Sequence, residues 1–335
     1  MSFSNSTSFS AIDVPLVDAS GADIVVAIVK ATFEVDAAGR CHLADDAAEV
    51  RVGDVLHDET NPRSSLRYPS DVCPAKRGTD VIVVGEAVAR KRVEVMDVVV
   101  KVRDVSAPLR VHGERVYFRG LGRVQIGPAA PFETKPITYE RAYGGMSADL
   151  GVVEERNPSG VGVARRTDDL VGMPAPQIEH PARPYTSASD KHPPEGYGAL
   201  SSHWSPRKEF IGTCDAAWRA TRMPLLPLDF DVRYHNVAHP SLQFEQPIVT
   251  GDEIAVLGMS REGLFRFAVP AFPVVMRGVF DVAGKIRIRP VIDTIVIEPG
   301  RGRFELVARA SFLLGRGQNV LREVRVEIES ESDDG

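Results

Sequence analysis

Very little in this sequence announces a chemistry. Its 335 residues include only three cysteines, Cys41, Cys73 and Cys214, widely spaced and odd in number. That pattern offers no disulfide framework and no CxxC metal knuckle, and it fits a reducing compartment. No apolar run approaches the roughly 18 residues that a membrane helix needs. The opening MSFSNSTSFS lacks the basic segment and apolar stretch of a signal peptide. Basic runs are missing too. The net charge is −6 and the only like-charge run is the terminal ESESDDG, which argues against a general nucleic-acid binder. These absences lead to the expectation of a soluble cytoplasmic protein with no membrane insertion and no nucleic-acid partner.

Catalytic signatures are equally scarce. There is no GxSxG nucleophile elbow. The glycine-bearing stretches RGLGR (119–123) and NPSGVG (157–162) lack the strand–turn–helix setting and the Lys-Ser/Thr ending of a phosphate loop. Cys214 is the best-placed thiol, near an expected helix start, and reads as a small buried residue. HNVAH places His235 and His239 four apart, as a metal pair on a helix would be. It lacks the Glu of HExxH, however, and Pro240 follows at once, so packing histidines are the commoner reading. LDFD presents Asp229 and Asp231, which could serve glycoside hydrolysis or hold a cation. Such aspartates more often accept hydrogen bonds from turn amides. No cofactor or metal is called for, and nothing requires an enzyme.

What the chain does have is β-branched alternation. DIVVAIVKATFEV (23–35), TDVIVVGEAVA (79–89) and VEVMDVVVKVRDV (93–105) read as strands. In the third, Met96, Val98, Val100 and Val102 share an apolar face, while Val95, Asp97, Val99 and Lys101 share a mixed one. AAG (37–39) turns the first strand back toward CHLAD, and REG joins DEIAVLGMS (252–260) to LFRFAVP (264–270). KIRIRPVIDTIVIEP (285–299), RFELVARASFLL (303–314) and EVRVEIE (323–329) also alternate. Pro290 marks a bulge, bend or edge, and PGRG (299–302) a turn. A faint echo links IVKATF to LVARASF, and TDVIVVGE to GDEIAVLG, in opposite order along the chain.

The middle third differs. Residues 127–250 hold 15 of the 24 prolines and both tryptophans, which reads as long ordered loops across a β scaffold. One short helix is expected at 214–222, capped by Thr213, with the Trp218 ring aimed at the core. The fold expected is mainly β, with antiparallel sheets forming a sandwich or barrel-like scaffold and one or two short helices in the middle third. One domain spans 1–335, with two β lobes conceivable at about 1–126 and 251–329, joined by 127–250, and an acidic tail at 330–335.

TYERAYGG (138–145) is the densest cluster. Extended, it would put Tyr139, Arg141 and Tyr143 on one face, with Arg141 stacked between two tyrosine rings. Glu140 would face another partner. Gly144 and Gly145 permit positive φ or the close approach of another strand. With NPSGVG, PAPQIEHP, PPEGYG, WSPR, GTCDAAW and RMPLLPLDFDVRYHN, it resembles the signature series of the domain of unknown function 2169 family. PAKRGTDVIVVGEA, VHGERVY, DTIVIEP and VARASF resemble its flanks, so the likeness covers nearly the whole chain. Tyr143, Cys214 and Ala308 stand where the family usually has Phe, Tyr and Trp, and HNVAHPSLQF replaces a phenylalanine-rich run.

The signature positions are Tyr139, Glu140, Arg141, Tyr143, Gly144, Gly145, Asn157, Pro158, Gly160, Gly162, Trp204, Arg207, Gly212, Asp215, Trp218, Pro227, Asp229, Phe230 and Asn236. They read as scaffold-shaping, and no catalytic residue comes with the family. The resemblance implies an adaptor or chaperone of bacterial type VI secretion that binds a toxic effector and helps load it onto the VgrG spike. Its interface would be modest or partly polar, lying on the middle-third loops or along an exposed sheet edge. A hydrolase, or a carbohydrate-binding β module using the aromatic middle third, is the alternative.

Overall fold

Alternation in the strands Asp23–Val35 and Arg303–Leu313 sets up the centre of the molecule. A computed structural model describes residues 1–147, 151–315 and 319–329. In it these two strands pair antiparallel along their lengths, Glu34 opposite Arg303 and Ile24 opposite Leu313. The two echoing segments are thus neighbours. They lie inside the largest sheet, ordered Gln243–Phe244, Thr79–Val83, Ile292–Glu298, Arg303–Leu313, Asp23–Val35, Ser10–Val17. Cys41–Leu43 adds to the far end of Asp23–Val35 through the expected hairpin. Most pairs are antiparallel, but Thr79–Val83 runs parallel to Ile292–Glu298.

Two smaller sheets cover one face of this sheet. Odd positions of Asp23–Val35 and even positions of Arg303–Leu313 point to that side. Val25, Ala27, Val29, Ala310 and Phe312 pack on Val274, Met276, Val324 and Val326 of a four-stranded sheet. Further along, Phe33, Phe304, Leu306 and Ile295 pack on Val98, Val100, Val256 and Phe267 of a five-stranded sheet. The Phe304 ring lies 3.9 Å from Phe267 and 5.4 Å from Phe33, centroid to centroid. Each such side chain taken from water contributes about 1.5–3 kcal/mol, so this seam organises the fold. On the apolar face expected in the strand Val95–Val102, Val98, Val100 and Val102 are buried and Met96 is half-buried, while the mixed face is exposed or half-buried.

Two expected strands prove to be four. TDVIVVGEAVA leaves the central sheet after Val83. It restarts as Glu86–Val93, paired with Phe132–Pro136. KIRIRPVIDTIVIEP breaks at Pro290, which has no N–H for a ladder. Gly284–Ile288 joins the four-stranded sheet and Ile292–Glu298 the central one. The four-stranded and central sheets each take strands from both ends of the chain, and the five-stranded sheet joins Val95–Val102 and Val105–His112 to Glu253–Leu257 and Leu264–Ala268. The acidic tail expected at 330–335 lies outside the described residues.

The other face of the central sheet is unusual. Lys30, Glu305 and Arg309 project from it and are buried beneath the segment 45–77. Lys30 contacts Asp71 and lies 3.5 Å from Glu305, which also takes two bonds from Arg51 at 2.5 and 2.6 Å. Arg309 meets Asp293 at 2.8 Å, and Lys76 meets Asp80 at 2.7 Å. Every buried charge has an opposite partner, the condition under which such groups are tolerated.

Candidate functional site

The TYERAYGG stretch is not extended. Tyr139–Arg141 forms a single 3-10 turn, closed by bonds from Arg141 N to Thr138 O and Ala142 N to Tyr139 O. This overturns the expected stack of Arg141 between the tyrosines, because a turn sends successive side chains apart. The Tyr139 ring is buried edge-on against Trp204, with centroids 5.4 Å apart. It sits where Gly196 and Gly198 of PPEGYG leave room, and its hydroxyl donates to Gly198 O. Tyr143 stacks instead on Tyr185, 5.5 Å away. Arg141 reaches outward to Glu114 at 3.1 Å and Gln177 at 3.0 Å.

Glu140 does face a different partner. Its carboxylate accepts from the Ser65 amide at 2.6 Å, the Ser65 hydroxyl at 2.8 Å and the Ser64 hydroxyl at 3.1 Å. Burial pushes this carboxyl up, but these donors outweigh it and leave it below its ordinary value.

The double glycine joins this turn to NPSGVG. Tyr143–Gly144 pairs in parallel with Val161–Gly162. Gly144 and Gly145 have φ of 152° and 97°. A Cβ on Gly144 would stand 2.1 Å from Asn157 O, and one on Gly145 2.4 Å from Gly160 O. A Cβ on Gly160 would be as tightly placed, 2.4 Å from Asn157 Nδ2. Asn157, fully buried, donates from Nδ2 to Tyr139 O at 2.8 Å and Tyr143 O at 3.0 Å, while its own carbonyl accepts from Gly145 N. Pro158 follows it, half-buried.

The remaining signature residues form a second group, a strap from 204 to 236. Arg207 donates to Leu200 O and Tyr234 O, both at 2.8 Å. Gly212, at φ 87°, lets Asp229 approach, and Asp229 accepts from the Thr213 amide and hydroxyl. Asp231 caps the next turn by accepting from Arg233 N. Both aspartates thus serve turn backbone. The helix is Ala216–Thr221, capped by Asp215 and not by Thr213, whose hydroxyl is committed to Asp229. Trp218 is half-buried and donates to Leu225 O; it does not enter the core. Cys214 is exposed, contrary to the buried thiol expected, because this helix sits on the surface. Pro227 packs under Gly212, and Phe230 clusters with Tyr234 and His235.

Asn236 anchors the strap's end. It bonds Arg77 O at 3.0 Å and Asp80 Oδ1 at 3.1 Å. His235 and His239 flank it without converging. His235 lies tilted against Phe230, with ring centroids 5.5 Å apart, while His239 bonds Ser241. Burial pushes both imidazoles down to about 4. Among the described residues, no group of three or more His, Cys, Asp or Glu is arranged to hold a metal ion.

Beside the signature corner opens a groove of about 390 Å³. Tyr143, Gly162, Val163 and Leu170 form its apolar lining, together with Val152 and Val153. Glu154, Arg165, Asp190 and Lys191 supply charge. Val152 and Val153 are exposed. A polar cluster near the corner had no counterpart in the sequence reading. Glu179, buried, accepts from Arg115 and Tyr185 N and bonds His112 at 2.7 Å. The buried charges around Lys30 were missed as well. Their signal was one lysine inside the otherwise uncharged run from Ile24 to Phe33.

The exposed edges of two large sheets are guarded. Bonds between Gly258 and Gly263, and between Val269 and Asp252, set the ladder so that Leu264, Arg266 and Ala268 point their backbone groups outward. The 37–41 turn covers the last two, with Gly39 against Arg266 O and the Cys41 thiol 3.5 Å from Ala268 O. On Ser10–Val17 the same parity argument turns Pro15 outward, and proline has no N–H to offer a new strand.

No curated protein and no solved structure matches this chain. A family model does, described as an uncharacterized protein conserved in bacteria (DUF2169), over residues 20–309. That span holds the whole signature corner, the strap and most of the central sheet, and the chain belongs to the DUF2169 family.

Proposed function

We propose that this protein is a cytoplasmic adaptor, or chaperone, that binds a toxic effector and helps load it onto the VgrG spike of a bacterial type VI secretion system. The family resemblance suggests the role. The observation that carries it here is the partly apolar, charge-rimmed groove at the signature corner, with Val152 and Val153 exposed at its mouth. A surface of mixed polarity suits a partner that must be held and then released. The part of the groove next to Asn157 and the glycines is held by their bonds, which lowers the ordering cost of binding there. The guarding of the Leu264–Ala268 and Ser10–Val17 edges favours the loops of this corner over strand addition at those two places.

The test is co-expression with an inactivated toxin encoded beside this gene, followed by purification and a secretion assay. The expected outcome is a stoichiometric complex, toxin that is less stable without this protein, and loss of its secretion when the gene is deleted. Normal secretion in the deletion strain, together with no complex, would sink the proposal.

A further inference from the structure

The glycine-bearing stretch RGLGR is the tip of a surface hairpin. Strands Tyr117–Gly120 and Arg123–Ile126 are joined by two residues, Leu121 and Gly122, with φ of 39° and 81°. Two positive φ values in a two-residue loop are the type I′ pattern, which favours Asn, Asp or Gly at the first position and Gly at the second. Gly122 conforms. Leu121 does not, because a left-handed backbone brings its Cβ against the following carbonyl. Its side chain is also wholly exposed. Both features work against the stability of the free protein, and outliers of this kind persist where a function holds them.

Leu121 is not alone. Tyr117 points inward to the core, so alternation turns Val116 and Phe118 outward, and both are exposed. A Cβ at Gly120 would lie 3.0 Å from the Phe118 ring, so the bare glycine lets that ring approach the tip. Val171 and Met173, also exposed, lie on the segment that bonds Tyr117 through Met173 O and Gly172 N. Charge surrounds this apolar cluster. Arg119 and Arg123 flank the tip, and Arg165 and Arg166 precede the adjoining turn. Asp168 and Asp169 oppose them, Asp168 pairing with Arg119 at 3.0 Å. The neighbourhood is net positive on a chain of net charge −6.

We infer that this hairpin is a docking knob for the effector: Leu121, backed by Phe118 and Val116, enters an apolar pocket of the cargo whose rim is acidic. The inference rests on the adaptor reading. Of the two proteins an adaptor touches, the stored cargo needs the longer-lived contact. A fully desolvated aliphatic or aromatic anchor lengthens a complex's life by slowing dissociation. The arginines would speed encounter with an acidic rim and make binding sensitive to salt.

Leu121→Asn separates binding from folding, since it restores the residue the turn prefers. The probe is the inactivated effector from the neighbouring gene, titrated against purified wild-type, Leu121→Asn, Phe118→Ser and Arg123→Glu proteins. The expected result is a Leu121→Asn melting temperature equal to or above wild type, with effector affinity lowered about 30-fold or more, the scale of a hot-spot residue. Arg123→Glu should slow association and flatten its salt dependence. Effector binding by Leu121→Asn within about threefold of wild type, ordinary for a peripheral contact, would overturn the knob while leaving the adaptor reading standing. So would loss of spike capture with effector binding intact. A wild-type protein that does not bind the effector removes both.

Discussion

Asn157 offers the sharpest test of how the signature corner is built. Its side chain is fully buried, and Nδ2 serves two carbonyls, Tyr139 O and Tyr143 O, on either side of the 3-10 turn. Replacing Asn157 by Ala removes both donors at once. Each buried acceptor that loses its partner costs about 1–3 kcal/mol. Tyr139 O keeps a weak bond from Ala142 N at 3.2 Å, so its share falls at the low end. A total of about 3 kcal/mol follows from these two losses. Unfolding entropy near 2.1 cal/mol/K per residue translates this into a melting-temperature drop of about 4 °C for a chain of this size.

Asn157→Asp preserves the volume but sets a carboxylate oxygen against the same two carbonyls, where Asn157 Oδ1 already lacks a partner. It should be the more damaging change, and the loss of soluble protein is its extreme form. Thermal and urea unfolding of the three proteins side by side would measure both. Two variants within about 0.5 kcal/mol of wild type, the ordinary range for a neutral surface change, would show that Asn157 does not hold the corner.

The other predictions address neighbouring features. Gly144→Ala, whose Cβ would stand 2.1 Å from Asn157 O, should cost at least about 3 kcal/mol through strain and collision; urea midpoints near wild type would contradict the close approach. Lys30→Met should destabilise by about 3–5 kcal/mol, because Asp71 stays buried without its cation while Glu305 keeps only Arg51. Adding Asp71→Asn should recover part of that, and a double-mutant cycle with no coupling would refute the pairing. His235 and His239, held near 4 by burial, take up protons in the unfolded chain near 6.5 but not in the folded one. Stability should be complete above about pH 6.5 and fall as pH drops toward 4, by up to about 3 kcal/mol for each group. His239→Gln should flatten that decline, and an unchanged urea-midpoint curve would exclude His239 as a source.

Much of the scaffold was legible from local pattern. Val95–Val102 shows its buried and open faces in its alternation, and Asp36–Arg40 and Gly258–Gly263 mark hairpins by turn chemistry. Gly144 and Gly145 signal a close approach, although the partner, Asn157, lies a dozen residues away. The candidate site was less legible. TYERAYGG reads equally well as strand or turn, and the choice fell to Trp204 and Gly198, which hold the Tyr139 ring from another part of the chain. Pro290 announced a break, but not that the halves enter different sheets. Leu121 looked like one residue of a glycine-bearing loop until its backbone angles and exposure were known.

The sequence by itself determined a β protein with an ordered, proline-rich middle and two close-packed glycines, because alternation and turn chemistry act over a few residues. Only the tertiary structure decided which strands share a sheet, which buried cation meets which carboxylate, and where apolar side chains remain in water. Those outcomes depend on contacts between residues as distant as Lys30 and Glu305, whose energies no local pattern carries.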